Sequence, residues 1–592
     1  MAEPLVPSTL AFREGIPYSE RFGDVYHSAA GALEQARHVF LRGNGLPERW
    51  AGRSRFVVLE TGFGLGLNVL ATWQAWRRDP RRGGRLHFVS IEKHPYSLQD
   101  LRTLHENYPE LKDEAAQLHS RWPVLVSGGH RAELDSGRVV LTVFFSDVKV
   151  LRDLRLAADA FYLDGFAPQK NPDMWSPQTL RALSRLAAPG ATAATWSVAG
   201  SVRSALEETG FAVEKKPGFG SKREMLVAQF TRKGNEVSSS KSRTATVVGA
   251  GLAGAALCER LCARGWEVTL VERHAEPATE ASGNLAGVFH PIVTPDDSVF
   301  ARLTRTAFLF SSSLWRGLAG MRWDQCGALQ LCRNEKEEAS QRAAIAALGL
   351  PPEYAQLVTR EEASAHAGVP VAAGGLWFPQ AGWIQPRSLV QAQLDACGSR
   401  LTRIFGKEIS SLQDAGLVIL ATANDGLKKI PHARLRRVRG QLTYLDEAAF
   451  DPPHVVVLRG GMVLPPVEGR CVVGASFDID DEDPSPRKES DEGNMERLSK
   501  IIFLSDGIKA DSFQNRVAFR TVVPDRLPIA GRIDGDTWGL LALGSRGLIW
   551  SALGAELMAS QLEGEPLPLE GRLVDALAPS RFELRAKRKI GV

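Results

Sequence analysis

Phe56-Val-Val-Leu-Glu60-Thr-Gly62-Phe-Gly64-Leu-Gly66-Leu-Asn68 and Ala245-Thr-Val-Val-Gly249-Ala-Gly251-Leu-Ala-Gly254 are two glycine-rich loops in one chain. Each follows an apolar run that reads as a β-strand. Glycines at such spacing let the backbone turn sharply and approach a nucleotide that a Cβ would hold away. The two spacings differ. Two versions in one chain point to two nucleotide cofactors and two chemical steps.

Working outward from the first loop, strands are predicted at Phe56–Leu59, Leu86–Ile91, Val139–Phe145, Ala160–Leu163 and Ala191–Thr195. Helices fall between them, at Asn68–Arg77, Ser97–Glu106 and Pro177–Ala188. This alternation predicts an α/β fold, a doubly wound parallel sheet with helices on both faces. The second loop opens a βαβ unit: Ala245–Val248, Gly254–Arg264 and Glu267–Val271. Short mixed strands and turns follow, which predicts a Rossmann-type cofactor domain carrying an inserted α+β substrate domain. Between the two halves, Thr231-Arg-Lys-Gly-Asn-Glu-Val-Ser-Ser-Ser-Lys-Ser-Arg243 holds one apolar residue and three consecutive serines, the composition of a linker. The expected partition is 1–235, a linker at 236–243, and 244–592.

The 592 residues are 44 % hydrophobic and 24 % charged, which suits globular domains with sizeable cores. The net charge of +4 permits a local nucleic-acid patch without requiring one. The six cysteines form no CxxC pair, so buried free thiols are expected rather than disulfides or a zinc site, and no metal. No basic-then-apolar leader is visible, and no apolar run reaches the ~20 residues that span a bilayer. A cytoplasmic, monomeric enzyme without membrane contact is the expectation.

The pattern Glu60-x-Gly62-x-Gly64-x-Gly66 departs from the dinucleotide spacing and resembles motif I of class I methyltransferases, which bind S-adenosyl-L-methionine. That resemblance implies that Glu60 reaches the cofactor's ammonium, directly or through water. Glu92 ends the next strand, where a carboxylate is placed to accept from ribose hydroxyls. Asp147 follows a third strand and is placed to hold the adenine amino group.

The fourth strand runs into Phe161-Tyr-Leu-Asp164-Gly-Phe166-Ala-Pro168-Gln-Lys-Asn-Pro-Asp-Met-Trp175. Ligands sit at the carboxyl ends of strands in such sheets. Asp164 is therefore placed to meet a ligand, and the resemblance of this acidic, Pro- and aromatic-rich stretch to nucleic-acid methyltransferases implies that it is the catalytic residue, orienting an amine and helping to take its proton. Phe166, Pro168 and Trp175 are expected to line the substrate side, excluding water or stacking on a base. This segment and Pro217-Gly-Phe-Gly-Ser-Lys-Arg-Glu-Met-Leu226 closely resemble the family of bifunctional tRNA 5-methylaminomethyl-2-thiouridine biosynthesis proteins, and the order of the two loops agrees.

At the second site, Gly249-x-Gly251-x-x-Gly254 joins a strand to a helix, and Glu272 ends the next strand twenty-three positions after Gly249. That is the dinucleotide fingerprint with its acidic ribose contact. Three later stretches favour FAD. Ala281-Ser282-Gly283-Asn284-Leu-Ala-Gly287 resembles the flavin-contacting loop of the D-amino-acid oxidase and glycine oxidase superfamily. Arg520-Thr-Val-Val-Pro-Asp-Arg-Leu-Pro-Ile-Ala-Gly531 and Leu543-Gly544-Ser-Arg546-Gly547-Leu-Ile-Trp-Ser551 resemble its late signatures. The resemblance implies that Arg520 and Arg546 hold a substrate carboxylate, since a guanidinium fork matches two oxygens. His290 and Gln441 are further expected flavin-lining residues.

The family resemblance implies a sequence of two reactions on the wobble uridine of a tRNA anticodon. FAD-dependent oxidation removes the carboxymethyl group of 5-carboxymethylaminomethyl-(2-thio)uridine as glyoxylate. S-adenosyl-L-methionine then methylates the freed amine. The runs Arg77-Arg78…Arg81-Arg82…Arg85, Arg434-Leu-Arg436-Arg437-Val-Arg439 and Arg581…Arg585-Ala-Lys-Arg-Lys589 are candidate phosphate contacts. Two alternatives stay open: a fused amine oxidase and methyltransferase acting on a free small amine or amino acid, and a non-catalytic RNA-binding protein with relic cofactor folds.

Overall fold

A computed structural model describes residues 4–236, 240, 242–411, 416–423, 430–504 and 513–590, with side chains to residue 588. Residues 237–239 and 241 of the expected linker lie outside the described residues. The chain forms two compact units. One comprises Leu5–Ser240 with Ser560–Arg572; the other comprises Met1–Pro4, Lys241–Ala559 and Leu573–Val592.

The first unit is built on an eight-stranded sheet. Its strands are β1 (Arg55–Glu60), β2 (Arg85–Glu92), β3 (Gly128–Leu134), β4 (Val139–Phe145), β5 (Ala158–Tyr162), β6 (Ala187–Thr195), β7 (Phe211–Pro217) and β8 (Glu224–Phe230). Their order is β7-β8-β6-β5-β1-β2-β4-β3. The pairings β4-β2-β1-β5-β6 are parallel, and the outer pairings are antiparallel. The continuous apolar run of β1 reflects burial on both faces. Phe56 and Val58 pack with Trp73, Trp76 and Phe88 on one side. Val57 and Leu59 pack with Phe161, Leu183 and Val202 on the other. Burying each such side chain stabilises by roughly 1.5–3 kcal/mol.

Helix α1 (Leu67–Arg78) follows the glycine loop directly. The helix expected over Pro177–Ala188 stops at Arg185, and Ala187 already belongs to β6. The register against β5 breaks between Ala158 and Ala160. Pro189 and Gly190 sit at this irregularity, Gly190 with a φ of +69°, so the pairing draws the flanking alanines out of the helix. Strands β3, β7 and β8 are additional to those expected, as is a meander at the amino end. That meander joins Ala11–Arg13, Ile16–Ser19 and Asp24–Val25 in antiparallel pairs. Its first turn is Glu14-Gly15, with φ of +53° and +78°, the left-handed pair that a two-residue hairpin demands.

Ser560–Arg572 folds as part of this unit. Arg131 donates to Ser560 Oγ (3.0 Å) and to the Pro566 carbonyl. Arg85 pairs with Glu565 at 3.4 Å, and the buried His87 lies 3.6 Å from the same carboxylate.

His105 ties a helix to the glycine loop. Its Nε2–H donates to the Leu65 carbonyl (2.8 Å), which leaves Nδ1 to accept from His119 Nε2 (2.8 Å). Burial pushes the His105 pKa down to about 4. The unfolded chain, with an ordinary value near 6.5, binds a proton between these limits that the folded chain refuses. Stability is therefore full above pH ~6.5 and falls as pH drops toward 4, by up to about 3 kcal/mol. Thermal unfolding of the chain followed from pH 7 to 5 should show this slope, and His105→Gln should flatten it. An unchanged slope in the variant would refute the assignment.

In the second unit, β9 (Thr244–Val248), α2 (Leu252–Cys262) and β10 (Glu267–Val271) form the βαβ start. The six-stranded sheet runs Leu401–Ile404, β10, β9, Val418–Leu420, Thr537–Leu541, Ile529–Asp534; only the last pairing is antiparallel. Chain inserted between these strands builds a nine-stranded sheet. Its long strand Arg436–Asp446 pairs antiparallel with Gln514–Val522 and sets Arg520 opposite Val438. The six cysteines are free thiols; five are buried and Cys326 is half-buried. Among the described residues, no helix is long and apolar enough to cross a membrane.

Candidate active sites

At the carboxyl ends of β1, β2, β4 and β5 opens a cavity of about 710 Å³. Gly62, Gly64, Glu92, Asp147, Asp164 and Phe166, all among the candidate residues, line it. Glu92 Oε2 accepts from Gly64 N (2.9 Å) and Oε1 from His94 N (2.7 Å), so the carboxylate stiffens the glycine loop and keeps lone pairs for a ribose. Asp147 is held by Lys93 at 2.7 Å. Gly64 and Gly66 have φ of +50° and +73°. A Cβ on Gly62 would sit 3.2 Å from the Asp164 carbonyl. Loop and acids together fit S-adenosyl-L-methionine.

Asp164 faces the cavity floor. Its Oδ1 accepts from Gly165 N (2.9 Å) and its Oδ2 from Asn68 Nδ2 (2.8 Å), and the neighbouring Trp196 indole also favours its charged form. Burial nevertheless pushes its pKa up to about 6. Glu60 differs from expectation. It is fully buried beneath the floor, outside the cavity lining. Both its oxygens are engaged, Oε1 by Asn68 (2.8 Å) and Oε2 by Ser90 Oγ (2.6 Å). Burial pushes its pKa up to about 8. Gly66 likewise lies behind the lining, as the residue preceding α1.

The loop after β5 is roofed by the amino-terminal meander. Phe22 stacks on Phe166 at 4.7 Å, and Tyr26 meets the same ring edge-on at 5.0 Å. Asp24 accepts from Ala167 N (3.1 Å) and pairs with Lys170 at 3.0 Å. Trp175 and Pro168 do not line the cavity, contrary to expectation. Trp175 is buried, and its indole donates to the Phe166 carbonyl (2.9 Å), so it anchors the loop from below. Sequence reasoning missed Phe22, Asn68, Trp196 and Lys222. The Lys222 ammonium lies 4.4 Å from the Trp196 ring centre, and both line the cavity. Asn68 and Lys222 stood within the two quoted motifs; Phe22 needed the Glu14-Gly15 hairpin signal to be followed.

The second unit holds a cavity of about 370 Å³. Gly251, Ser282, Asn284, Gly287, His290, Arg520, Gly544, Arg546 and Gly547 line it. Gly249, Gly254, Gly283 and Glu272 stand behind. A Cβ on Gly254 would lie 1.8 Å from the Gly249 carbonyl, so strand and helix meet only without one. Glu272 Oε2 accepts from Ala250 N (2.7 Å), at the strand end the fingerprint requires. Ser282 Oγ accepts from Leu252 N (3.1 Å), bringing the small-residue loop onto the start of α2. Asn284 Oδ1 and His290 Nδ1 are buried with no hydrogen-bond partner among the described residues. Unspent polar atoms and a closed glycine turn fit a bound dinucleotide.

Gly440 makes room for Arg520, whose guanidinium would lie 2.0 Å from a Cβ there. Arg520 donates to the Ser476 carbonyl (3.3 Å) and Arg546 to the His290 carbonyl (3.2 Å). Neither has a carboxylate within ion-pair distance among the described residues, and burial lowers the Arg546 pKa to about 10. Gln441 does not line the cavity. It is buried, accepting from Arg439 and Arg487 N and donating to the Arg487 carbonyl. The arginine runs are largely spent internally: Arg77 on Glu114, Arg85 on Glu565, Arg436 on Asp480, and Arg581 and Arg585 on Asp525. The Lys589 side chain lies outside the described residues.

Fold and sites define a fusion of two enzymes, a methyltransferase of S-adenosyl-L-methionine and an oxidoreductase of FAD. Residues 244–561 match the family model of FAD dependent oxidoreductases, and residues 109–231 that of S-adenosyl-L-methionine-dependent methyltransferases. The bifunctional protein MnmC of tRNA 5-methylaminomethyl-2-thiouridine biosynthesis from Paraburkholderia phytofirmans is 45 % identical, covering 100 % of this chain and 99 % of the relative. The protein of the same name from Azoarcus sp. is 45 % identical over 99 % of each. The chain belongs to the family of bifunctional tRNA 5-methylaminomethyl-2-thiouridine biosynthesis proteins.

Proposed function

We propose that this chain carries out both final steps on a wobble uridine of tRNA, in the cytoplasm and as a monomer. The second unit converts 5-carboxymethylaminomethyl-(2-thio)uridine to the 5-aminomethyl form, and the first unit methylates the product. The observation that carries the reading is a full-length relationship at 45 % identity joined to two separate lined cavities, one with acids and one with arginines.

When bound, FAD would accept a hydride and S-adenosyl-L-methionine would supply an activated methyl group. The residues bind, align and hold protons. Arg520 and Arg546 take the two oxygens of the carboxymethyl group, which supplies the anion that the half-buried guanidiniums lack. This sets the carbon between nitrogen and carboxylate as the site of oxidation. Loss of a hydride from that carbon and a proton from the nitrogen, two electrons and two protons in all, yields an imine. Water cleaves the imine to the primary amine and glyoxylate. In the first unit, the amine arrives mostly protonated, with a pKa of roughly 10 by analogy with lysine. Asp164 accepts its hydrogen bond and helps take its proton, freeing the lone pair. Phe166, stiffened by Phe22 and Tyr26, offers the face on which the base stacks.

The test is the purified chain with both cofactors, given tRNA that carries the carboxymethylaminomethyl nucleoside. Mass spectrometry should show the aminomethyl and then the methylaminomethyl form, with glyoxylate released. Rapid turnover of free glycine or sarcosine, with the tRNA unchanged, would instead establish the small-amine reading.

A further inference from the structure

We propose that Asn68 is a positioning residue for the methyl transfer: its single side-chain nitrogen bridges two carboxyl groups, giving one hydrogen to Glu60 Oε1 and the other to Asp164 Oδ2, and so keeps Asp164 able to accept from the amine. This deepens the methyltransferase reading and rests on it.

Both bonds are 2.8 Å long. An amide nitrogen has two hydrogens, and here both are committed. The bridge is rigid. Asn68 is buried in the first turn of α1, and its backbone carbonyl accepts from Thr72 Oγ1 (2.7 Å), which in turn contacts the Tyr162 hydroxyl at 3.0 Å. The backbone of Asn68 is thus held by the helix that the glycine loop launches, and burial with the two carboxyl bonds holds the side chain.

The surroundings explain why a bridge is needed. Glu60 comes from β1, Glu92 from β2 and Asp164 from the end of β5. Three carboxyl groups converge on one floor: Glu92 raises the proton affinity of Glu60 and of Asp164, and Asp164 raises that of Glu60. Against Asp164 from the remaining sides stand the Gly165 amide and the Trp196 indole, the latter beneath the Lys222 ammonium. Glu60 has its only partners in Asn68 and Ser90 among the described residues. Burial favours its acid form near neutrality, whereas Asp164 sits just on the ionised side. Removing the Asn68 hydrogen from Asp164 withdraws a bond that favours its charged form. Asp164 then holds a proton of its own in more molecules near neutral pH, and those cannot take one from the substrate.

The experiment measures single-turnover methylation by the full chain of tRNA bearing 5-aminomethyl-2-thiouridine, from pH 6 to 9, with binding of S-adenosyl-L-methionine measured alongside. Asn68→Ala should lose about fivefold in rate at pH 6 and about twofold at pH 7, the losses that a rise of about one unit in the Asp164 pKa produces. The ratio to wild type should close as pH approaches 9. Asn68→Asp keeps the size of asparagine but replaces both donors with acceptors and adds a fourth acid. It should lose more than the alanine variant, with a limb displaced further upward. A packing role predicts the reverse order, because the isostere preserves shape, and a deficit independent of pH. Either of those results overturns the inference while leaving the methyltransferase reading intact. Should Asn68→Ala fail to fold, the isosteric variant carries the comparison. Absence of methylation by the wild-type chain on this tRNA overturns both.

Discussion

Asp164→Asn should cut methyl transfer by about 10²–10⁴-fold while oxidative trimming proceeds, so that tRNA accumulates the 5-aminomethyl nucleoside. The effect is large because the methyl donor needs no activation, and the amine is the partner that must be prepared. Asp164 is the carboxylate at the floor of the first cavity whose oxygens face the space where an amine must stand. Asparagine keeps its size and cannot receive a proton at any relevant pH. The oxidoreductase cavity is lined by another part of the chain and shares none of these groups. Nucleoside mass spectrometry on tRNA incubated with the variant reads both steps at once. Full conversion to the methylaminomethyl form would remove Asp164 from its role.

Gly254→Val should give a colourless protein that no longer trims the carboxymethyl group yet still methylates a supplied aminomethyl tRNA. A Cβ at this position would collide with the Gly249 carbonyl at 1.8 Å, and valine adds two methyls beyond it. The backbone cannot yield cheaply, because a Cβ on Gly249 would itself lie 2.7 Å from the Ala421 carbonyl. Forcing extra carbon into such a contact costs about 1–3 kcal/mol or more, and it displaces the start of α2 from the place where a pyrophosphate would bind. Flavin absorbance after reconstitution and the two tRNA assays report the outcome. A yellow, trimming-competent variant would show that the close approach is not required. Loss of methylation in a folded variant would show that the two activities depend on one another.

Much of the fold was legible because both cofactor loops announce themselves by backbone need. Where a Cβ cannot fit, glycine is obligatory, and strand and helix follow on either side. The acids at strand ends were legible for a related reason, since a parallel sheet places them at one edge. Glu60 shows the limit of that inference. Its position at a strand end was right, but its partners Asn68 and Ser90 turn it inward, and sequence order does not tell which way a side chain leans. Trp175 shows another limit. An aromatic in a site loop can face the ligand or brace the loop, and only its bond to the Phe166 carbonyl decides. Gln441 fell to the same ambiguity, spent on Arg439 and Arg487. The meander before residue 26 escaped notice because its strands are two to four residues long and hold little apolar area of their own.

Ser560–Arg572 has a consequence for biosynthesis. The glycine-loop sheet leaves the ribosome early, but the side chains that satisfy Arg131 and stand beside His87 are encoded more than 300 residues beyond β8. The first unit to be translated is therefore among the last to be completed. Nascent chains arrested before Ser560 should hold this sheet in a form that proteases cut faster than in chains extended past Arg572. Equal resistance in the two would mean that the late segment adds nothing to its maturation.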